Sequence, residues 1–331
     1  MREPAFWWRE PGLASRLLAP LAALYGTVAA RRMRRPGRRA RAKVICIGNL
    51  TVGGAGKTPT AIAAAQALRD IGATPAFLTR GYGGRLAGPV MVAPTHSAAQ
   101  VGDEPLLLAR VAPTIVAGNR VAGAAAAADA GADTIVMDDG FQNPSLDKDL
   151  SIVVIDGRRG IGNGRVVPAG PLRAPLAAQL PRAHALIVIG EPGPSARAFI
   201  ESARHGDAPL LTGRLAPDAA AVAALQGTRV LAFAGIADAE KFFATLREAG
   251  IAVAATQRFA DHHPFSAAEA AGLIAKAEQS RLTLVTTEKD QARMVGDPAL
   301  AALAARAKTL PVTLALDKAG GLRDLLEGLF F

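Results

Sequence analysis

Thr51-Val52-Gly53-Gly54-Ala55-Gly56-Lys57-Thr58 is the stretch that decides the fold. It follows the apolar run Val44-Ile45-Cys46-Ile47 and opens a helical pattern running from Lys57 to about Ile71. Strand, glycine-rich loop and helix in that order are the setting in which such a loop binds phosphate. Glycines let backbone N–H groups turn inward around anionic oxygens, and the helix start adds positive potential. In this reading residues 51–58 form a P-loop for ATP: Lys57 reaches the β- and γ-phosphates and the Thr58 hydroxyl coordinates Mg²⁺. The strict GxxxxGK[ST] pattern fails at one position, because Thr51 stands where its first glycine is expected. The competing reading is a glycine-rich turn without a ligand.

A P-loop also needs a carboxylate at the end of a second strand to hold Mg²⁺, directly or through water. Thr134-Ile135-Val136-Met137 delivers Asp138 and Asp139 to the carboxyl edge of a sheet, just before Gly140. A tight turn is the plainer explanation of Asp-Asp-Gly.

Around this core, apolar runs alternate with amphipathic ones, the pattern of a parallel α/β sheet. Strands are expected at Val44–Ile47, Pro75–Thr79, Val90–Ala93, Thr114–Val116, Thr134–Met137, Ile152–Ile155 and Ala185–Ile189. Residues 157–181, rich in Gly, Pro and Arg, read as long loops near a site. Near Gly227 a second β/α series begins, with strands at Val230–Ala234, Ala252–Thr256, Leu282–Thr286 and Val312–Leu316. The expected organisation is an N-terminal apolar and basic helix over 1–40, a P-loop core over 41–222, and a smaller α/β lobe over 223–331.

The composition permits this. Half of the 331 residues are hydrophobic and 20% are charged, so a sizeable core can form. The 38 Lys+Arg against 28 Asp+Glu give a net charge of +10, which favours anionic partners. Arg31, Arg32, Arg34, Arg35, Arg38, Arg39, Arg41 and Lys43 concentrate that excess. Aromatic residues are only 5% and do not interleave with basic ones, which argues against a nucleic-acid platform. Cys46 is the sole cysteine, so no intrachain disulfide forms, and its place in an apolar run reads as a buried strand thiol.

Residues 13–30 are apolar but contain Arg16 and Pro20, and the basic block follows them. A secretory signal has the reverse order. A helix lying in a membrane interface, with Phe6, Trp7 and Trp8 at one end and arginines at the other, fits this segment. Docking of the helix on the protein's own core is the alternative.

Further motifs point one way together: Gly48-Asn49-Leu50-Thr51, Thr79-Arg80-Gly81-Tyr82-Gly83-Gly84, Val101-Gly102-Asp103-Glu104-Pro105, Asp138-Asp139-Gly140-Phe141-Gln142-Asn143, Pro168-Ala169-Gly170-Pro171-Leu172-Arg173, Asp261-His262-His263 and Thr286-Thr287-Glu288-Lys289-Asp290. In identity and order they resemble the tetraacyldisaccharide 4′-kinase family of the Gram-negative lipid A pathway, over nearly the whole chain. That family carries Thr at the first loop position. The resemblance implies transfer of the ATP γ-phosphoryl to the 4′-hydroxyl of a lipid disaccharide 1-phosphate, peripherally at the cytoplasmic face of the inner membrane. An anionic membrane surface is the implied partner, with no nucleic acid and no obligate protein partner. It also implies an Asp–His pair, Asp103 and His262, that activates the hydroxyl. Which of the two takes the proton stays open. On residues alone, Asp103-Glu104-Pro105 is equally a helix start and His262 a turn residue before Pro264, with His263 a competitor. Arg80, Tyr82 and Arg173 sit in loops at the sheet edge, as substrate contacts or local ion pairs. Glu288 and Lys289 read as contacts to nucleotide or Mg²⁺, or as a salt-bridged structural pair.

Two other P-loop classes compete. A membrane-associated ATPase switch of the MinD/ParA kind carries a second lysine early in its loop, where Val52 gives none. A GTPase carries Asn-Lys-x-Asp, of which Thr287-Glu288-Lys289-Asp290 is a partial likeness with Glu in place of Asn.

Overall fold

The apolar runs pair into two sheets whose carboxyl edges meet at one cleft. The computed structural model describes residues 3–203 and 208–330. The strands are β1 (Lys43–Gly48), β2 (Pro75–Thr79), β3 (Val90–Met91), β4 (Thr114–Val116), β5 (Thr134–Asp138), β6 (Leu150–Asp156), β7 (Ala185–Ile189), β8 (Leu210–Pro217), β9 (Arg229–Ala234), β10 (Ala252–Arg258), β11 (Thr283–Thr286), β12 (Lys308–Thr309) and β13 (Val312–Leu316). The nine-stranded sheet has the order β13-β8-β7-β6-β1-β5-β2-β4-β3. It is parallel except where β3 meets β4 and β13 meets β8. The four-stranded sheet, β10-β9-β11-β12, is parallel throughout.

Strand β1 lies between β5 and β6 with its side chains buried on both faces, which is why its sequence is continuously apolar. The chain builds the sheet to one side of β1 as far as β4, returns to β5 beside β1, then crosses to β6 on the other side. Open α/β sheets bind ligands at the carboxyl ends of strands where the order reverses in this way. The loop 51–58 leaves β1 there, and β5 pairs Asp138 with Ile47 of β1, which brings the carboxylate to the loop.

The expected strands are present with small changes of boundary. Two were not anticipated, β8 and β12. The larger correction concerns residues 223–331, expected as one lobe. Strand β13 instead completes the nine-stranded sheet against β8. Leu322 and Leu326, on the helix Gly321–Glu327, pack into one apolar cluster with Ala61, Ala64, Ala65 and Leu68 of the helix Lys57–Asp70. The four-stranded unit is thus an insertion between β8 and β13. Its strand β11 and the pattern of β13 look alike in sequence, so the switch of sheets leaves no local mark.

The N-terminal segment folds as the helices Leu13–Leu17 and Ala19–Met33. Ser15, Ala22, Gly26 and Met33 are buried, with Ser15 Oγ donating to Ala169 O at 2.8 Å and Gly26 set against Pro175. Leu13, Leu17, Leu21, Leu24, Tyr25 and Val28 are exposed. No helix among the described residues is long and apolar enough to cross a membrane.

Candidate active site

The first part of the loop is held open from outside. Val52 N donates to Pro171 O (2.8 Å), Arg173 N donates to Leu50 O (2.9 Å), and Arg173 Nε donates to Thr51 O (2.9 Å). Asn49 Nδ2 donates to Gly53 O, and Gln142 Nε2 donates to Asn49 O at 2.7 Å. Gly48 is required because a Cβ there would collide with Phe141. These bonds explain why three separated motifs occur together: residues 48–51, 138–143 and 168–173 form one frame around the loop. Gly53 (φ 102°) and Gly56 (φ 88°) take the left-handed backbone that turns the loop, and the helix Lys57–Asp70 starts at Gly56.

Lys57 lies inside this frame, with Nζ 3.4 Å from Gly53 O and 3.7 Å from Asp139 Oδ1. Burial lowers its pKa, against the pull of Asp139. Asp139 has φ 56° and receives Arg173 in two-pronged fashion, at 2.8 and 3.2 Å. Burial acts to raise its pKa, but Lys57 and Arg173 outweigh it and hold the carboxyl below its ordinary value. Arg173, expected among the substrate contacts, is therefore engaged by Asp139 and Thr51. Thr58 Oγ1 donates to Asp138 Oδ2 at 3.3 Å, and Asp138 is buried. Among the described residues Asp138 Oδ1 has no hydrogen-bond partner. Burial raises the Asp138 pKa. A hydroxyl beside a buried carboxylate with a free oxygen suits a hard divalent cation such as Mg²⁺. Asp139, tied to Arg173 and Lys57, suits it less.

The second half of the cleft is built across the two sheets. Asp103 is the first residue of the helix Asp103–Leu108, so the expected helix start is real. Its carboxylate nevertheless does more than begin a helix. Oδ2 lies 3.2 Å from His262 Nδ1 and accepts from Arg293 Nε at 2.8 Å, while Oδ1 accepts from Glu104 N. Burial opposes its charge, but side-chain bonds from His262 and Glu104 and the charge of Arg293 hold it well below the usual carboxylate range. His262 follows β10 in a left-handed conformation, φ 53°, fixed by a bond from its N–H to Gly235 O. Its hydrogen bond to Asp103 raises its pKa above the ordinary imidazole value, against burial. His263 turns away, with Nε2 2.9 Å from Glu269, the residue that closes the capping box of helix Ala267–Ser280. Tyr82 is exposed, its ring edge-on to His262 at 5.2 Å between centroids. Arg80 is also exposed, with its charge close to that of buried Arg120.

Lys289 Nζ donates to Glu104 at 2.7 Å, and Arg110 faces Glu288 at 3.8 Å. Both pairs span the sheets, so Glu288 and Lys289 act here as ion pairs. Lys289 also joins the two halves of the cleft, because its charge acts on Lys57 and Asp138 as well as Asp103. Arg293 was not anticipated. It is 8% exposed and binds Asp103, Asp290 Oδ1 (2.8 Å) and Gly235 O (2.8 Å) together. The only local sign of it was its i,i+3 spacing from Asp290.

The model of the tetraacyldisaccharide-1-P 4′-kinase family matches residues 14–330 of this chain. The chain belongs to the tetraacyldisaccharide 4′-kinase family. Two named relatives are the tetraacyldisaccharide 4′-kinases of Nitrobacter winogradskyi, 55% identical over 98% of this chain and 97% of that one, and of Methylobacterium sp. (strain 4-46), 58% identical over 99% and 98%. The fold matches the crystal structure described as the "apo" form of LpxK from Aquifex aeolicus in complex with ATP, with a TM-score of 0.74, 24% identity, and coverage of 96% of this chain and 100% of that one. Membership in the tetraacyldisaccharide 4′-kinase family makes this chain an ATP-dependent kinase, as the loop sequence anticipated, and favours a kinase over an ATPase switch.

Proposed function

We propose that this kinase transfers the γ-phosphoryl of ATP to the 4′-hydroxyl of a tetraacyldisaccharide 1-phosphate. The observation that carries the reading is the His262–Asp103 pair, 3.2 Å apart, facing a phosphate loop across one cleft. A carbohydrate hydroxyl is a weak nucleophile and gains from a base held beside the phosphoryl group.

Backbone N–H groups of residues 53–58 cradle the phosphates, and Lys57 neutralises charge on the β/γ oxygens. Thr58 and Asp138 would hold Mg²⁺, which would supply positive charge to offset that of the transferring phosphoryl group. Asp103 takes His262 Nδ1–H, leaving Nε2 as the base. Arg293 keeps Asp103 ionised, so the proton from the hydroxyl ends on His262. Tyr82, exposed beside His262, offers an aromatic face to the acceptor sugar, with Arg80 nearby for its anionic groups. The exposed leucine face of helix Ala19–Met33 and the exposed arginines that follow support attachment to an anionic bilayer, peripherally at the cytoplasmic face of the inner membrane. Docking of the opposite face on residues 163–178 sets the depth of the cleft relative to that surface.

The test is incubation of the protein with γ-labelled ATP, Mg²⁺ and tetraacyldisaccharide 1-phosphate in mixed micelles. Label at the 4′-position is expected. Label released only as inorganic phosphate, with lipid unmodified, would overturn the reading.

A further inference from the structure

The loop that binds anions already touches one. The Glu3 carboxylate lies against Gly53 so closely that a Cβ on that glycine would collide with Oε1. Its Oε2 accepts from Arg159 Nη1 at 2.7 Å. The segment carrying it is fixed, because Trp7 is buried and its Nε1 donates to Pro168 O at 2.9 Å. Trp8 lies 4.8 Å from the Arg159 guanidinium. Burial, with the charge of Asp261 adding to it, raises the Glu3 carboxyl above its ordinary value in spite of Arg159. Burial and Asp261 oppose this carboxylate more than Arg159 favours it, so Glu3 is a weakly held anion that a more highly charged group can replace.

The Glu3 carboxylate is at the terminal-phosphate end of the loop. Lys57 Nζ is 3.4 Å from Gly53 O, and this lysine is the group that reaches the β- and γ-phosphates. One carboxylate spans the gap between Gly53 and Arg159, and a phosphate group offers the same acceptor oxygens with more charge. Asp261 precedes His262, so Glu3 also stands in the approach to the base.

We infer that Arg159 is a further phosphate-binding residue, directed at the terminal phosphate of ATP, and that Glu3 is the internal anion it holds until nucleotide arrives. This rests on the reading of residues 51–58 as the ATP loop. The exchange needs no movement of the guanidinium: Trp8 lies over it, and Asp238 Oδ2, 3.5 Å from Nη2 and also bound by Arg158, steadies its other side. ATP displaces Glu3 and sets its terminal phosphate in the place of that carboxylate.

Calorimetric titration of the full chain with ATP and with ADP, each with Mg²⁺, tests this. Glu3→Gln is expected to tighten ATP by about threefold or more, since the self-occupied fraction is released. Arg159→Ala is expected to weaken ATP roughly 10- to 100-fold while ADP changes little. Arg159→Lys recovers part of the loss, and the Glu3→Gln/Arg159→Ala double variant binds as Arg159→Ala alone. Melting curves check that each variant is folded. Equal effects of Arg159→Ala on ATP and ADP, or no effect on either, overturn the assignment. Lys57→Ala separates the two levels: if it leaves both affinities unchanged, the loop reading itself fails. If it weakens them while Arg159→Ala does not alter the ATP-to-ADP ratio, only the Arg159 assignment fails.

Discussion

Single residues divide by whether their role is set by neighbours in sequence or by neighbours in space. Lys57, Thr58 and Asp138 were legible because strand, loop and helix place them without help from the rest of the chain. Lys57→Ala is expected to keep the melting profile and lose most turnover, and near-normal kcat would contradict the phosphate role. Asp103 and His262 were not legible from residue type, since Asp before Glu-Pro starts a helix and His before Pro makes a turn, and both of those things happen. Only family resemblance singled them out, and Arg293 was invisible because two of its partners, Asp103 and Gly235 O, come from distant parts of the chain. His262→Ala and Asp103→Ala should each lower kcat about 10²- to 10⁴-fold, and the double variant should lose far less than the product. Multiplicative losses would dissolve the pair. The pH profile carries a sign. His262 works as the neutral imidazole, so kcat falls as pH drops through its raised pKa. Asp103→Asn removes the largest cause of that rise, so the acid limb should move to lower pH; a limb that stays put assigns it to another group. Arg293→Met leaves a buried carboxylate without its cation, which typically costs about 3–5 kcal/mol of stability, readable as a lower urea midpoint.

Elements show which patterns the chain displays and which it hides. Strand β1 reads plainly because both its faces are buried, and the same burial pushes the Cys46 thiol up to about 12. Alkylating reagents at pH 8 are expected to leave Cys46 unmodified in the folded protein and to label it in urea; rapid labelling without denaturant would show the strand to be open. Strand β8 was missed because Leu-Leu-Thr-Gly-Arg-Leu-Ala-Pro is only half buried and carries Gly and Pro. The N-terminal helix was read as either membrane-bound or docked, and its two faces allow both. Small residues pack inward against Ala169 and Pro175, and leucines stay outside. Leu17→Asp with Leu24→Asp should therefore move the protein from membrane to soluble fractions and raise KM for lipid more than for ATP. Unchanged partitioning would leave that face without a membrane role.

At the scale of the molecule, the alternation of strands and helices gave the α/β class and the second β/α series, but not the return of β13 to the first sheet. Residues 312–316 continue the rhythm of the strands before them, and sheet membership depends on pairing with distant β8. The return has a consequence for the order in which the protein is made. A ribosome produces the phosphate loop well before the helix Gly321–Glu327, with the whole four-stranded unit between them. Until the helix Gly321–Glu327 emerges, the apolar face of Lys57–Asp70 that Leu322 and Leu326 cover is bare. The space beside Gly56 is lined by Ile189 of β7 and Leu215 of β8, and Leu215 is paired with Leu314 of β13, so one wall of the loop's seat also waits for β13. A chain ending at residue 311 should accordingly bind ATP poorly and resist rescue by Mg²⁺; full nucleotide affinity in that truncation would refute the dependence. A nascent chain halted before β13 is therefore expected to carry every phosphate-binding residue and still fail to consume ATP.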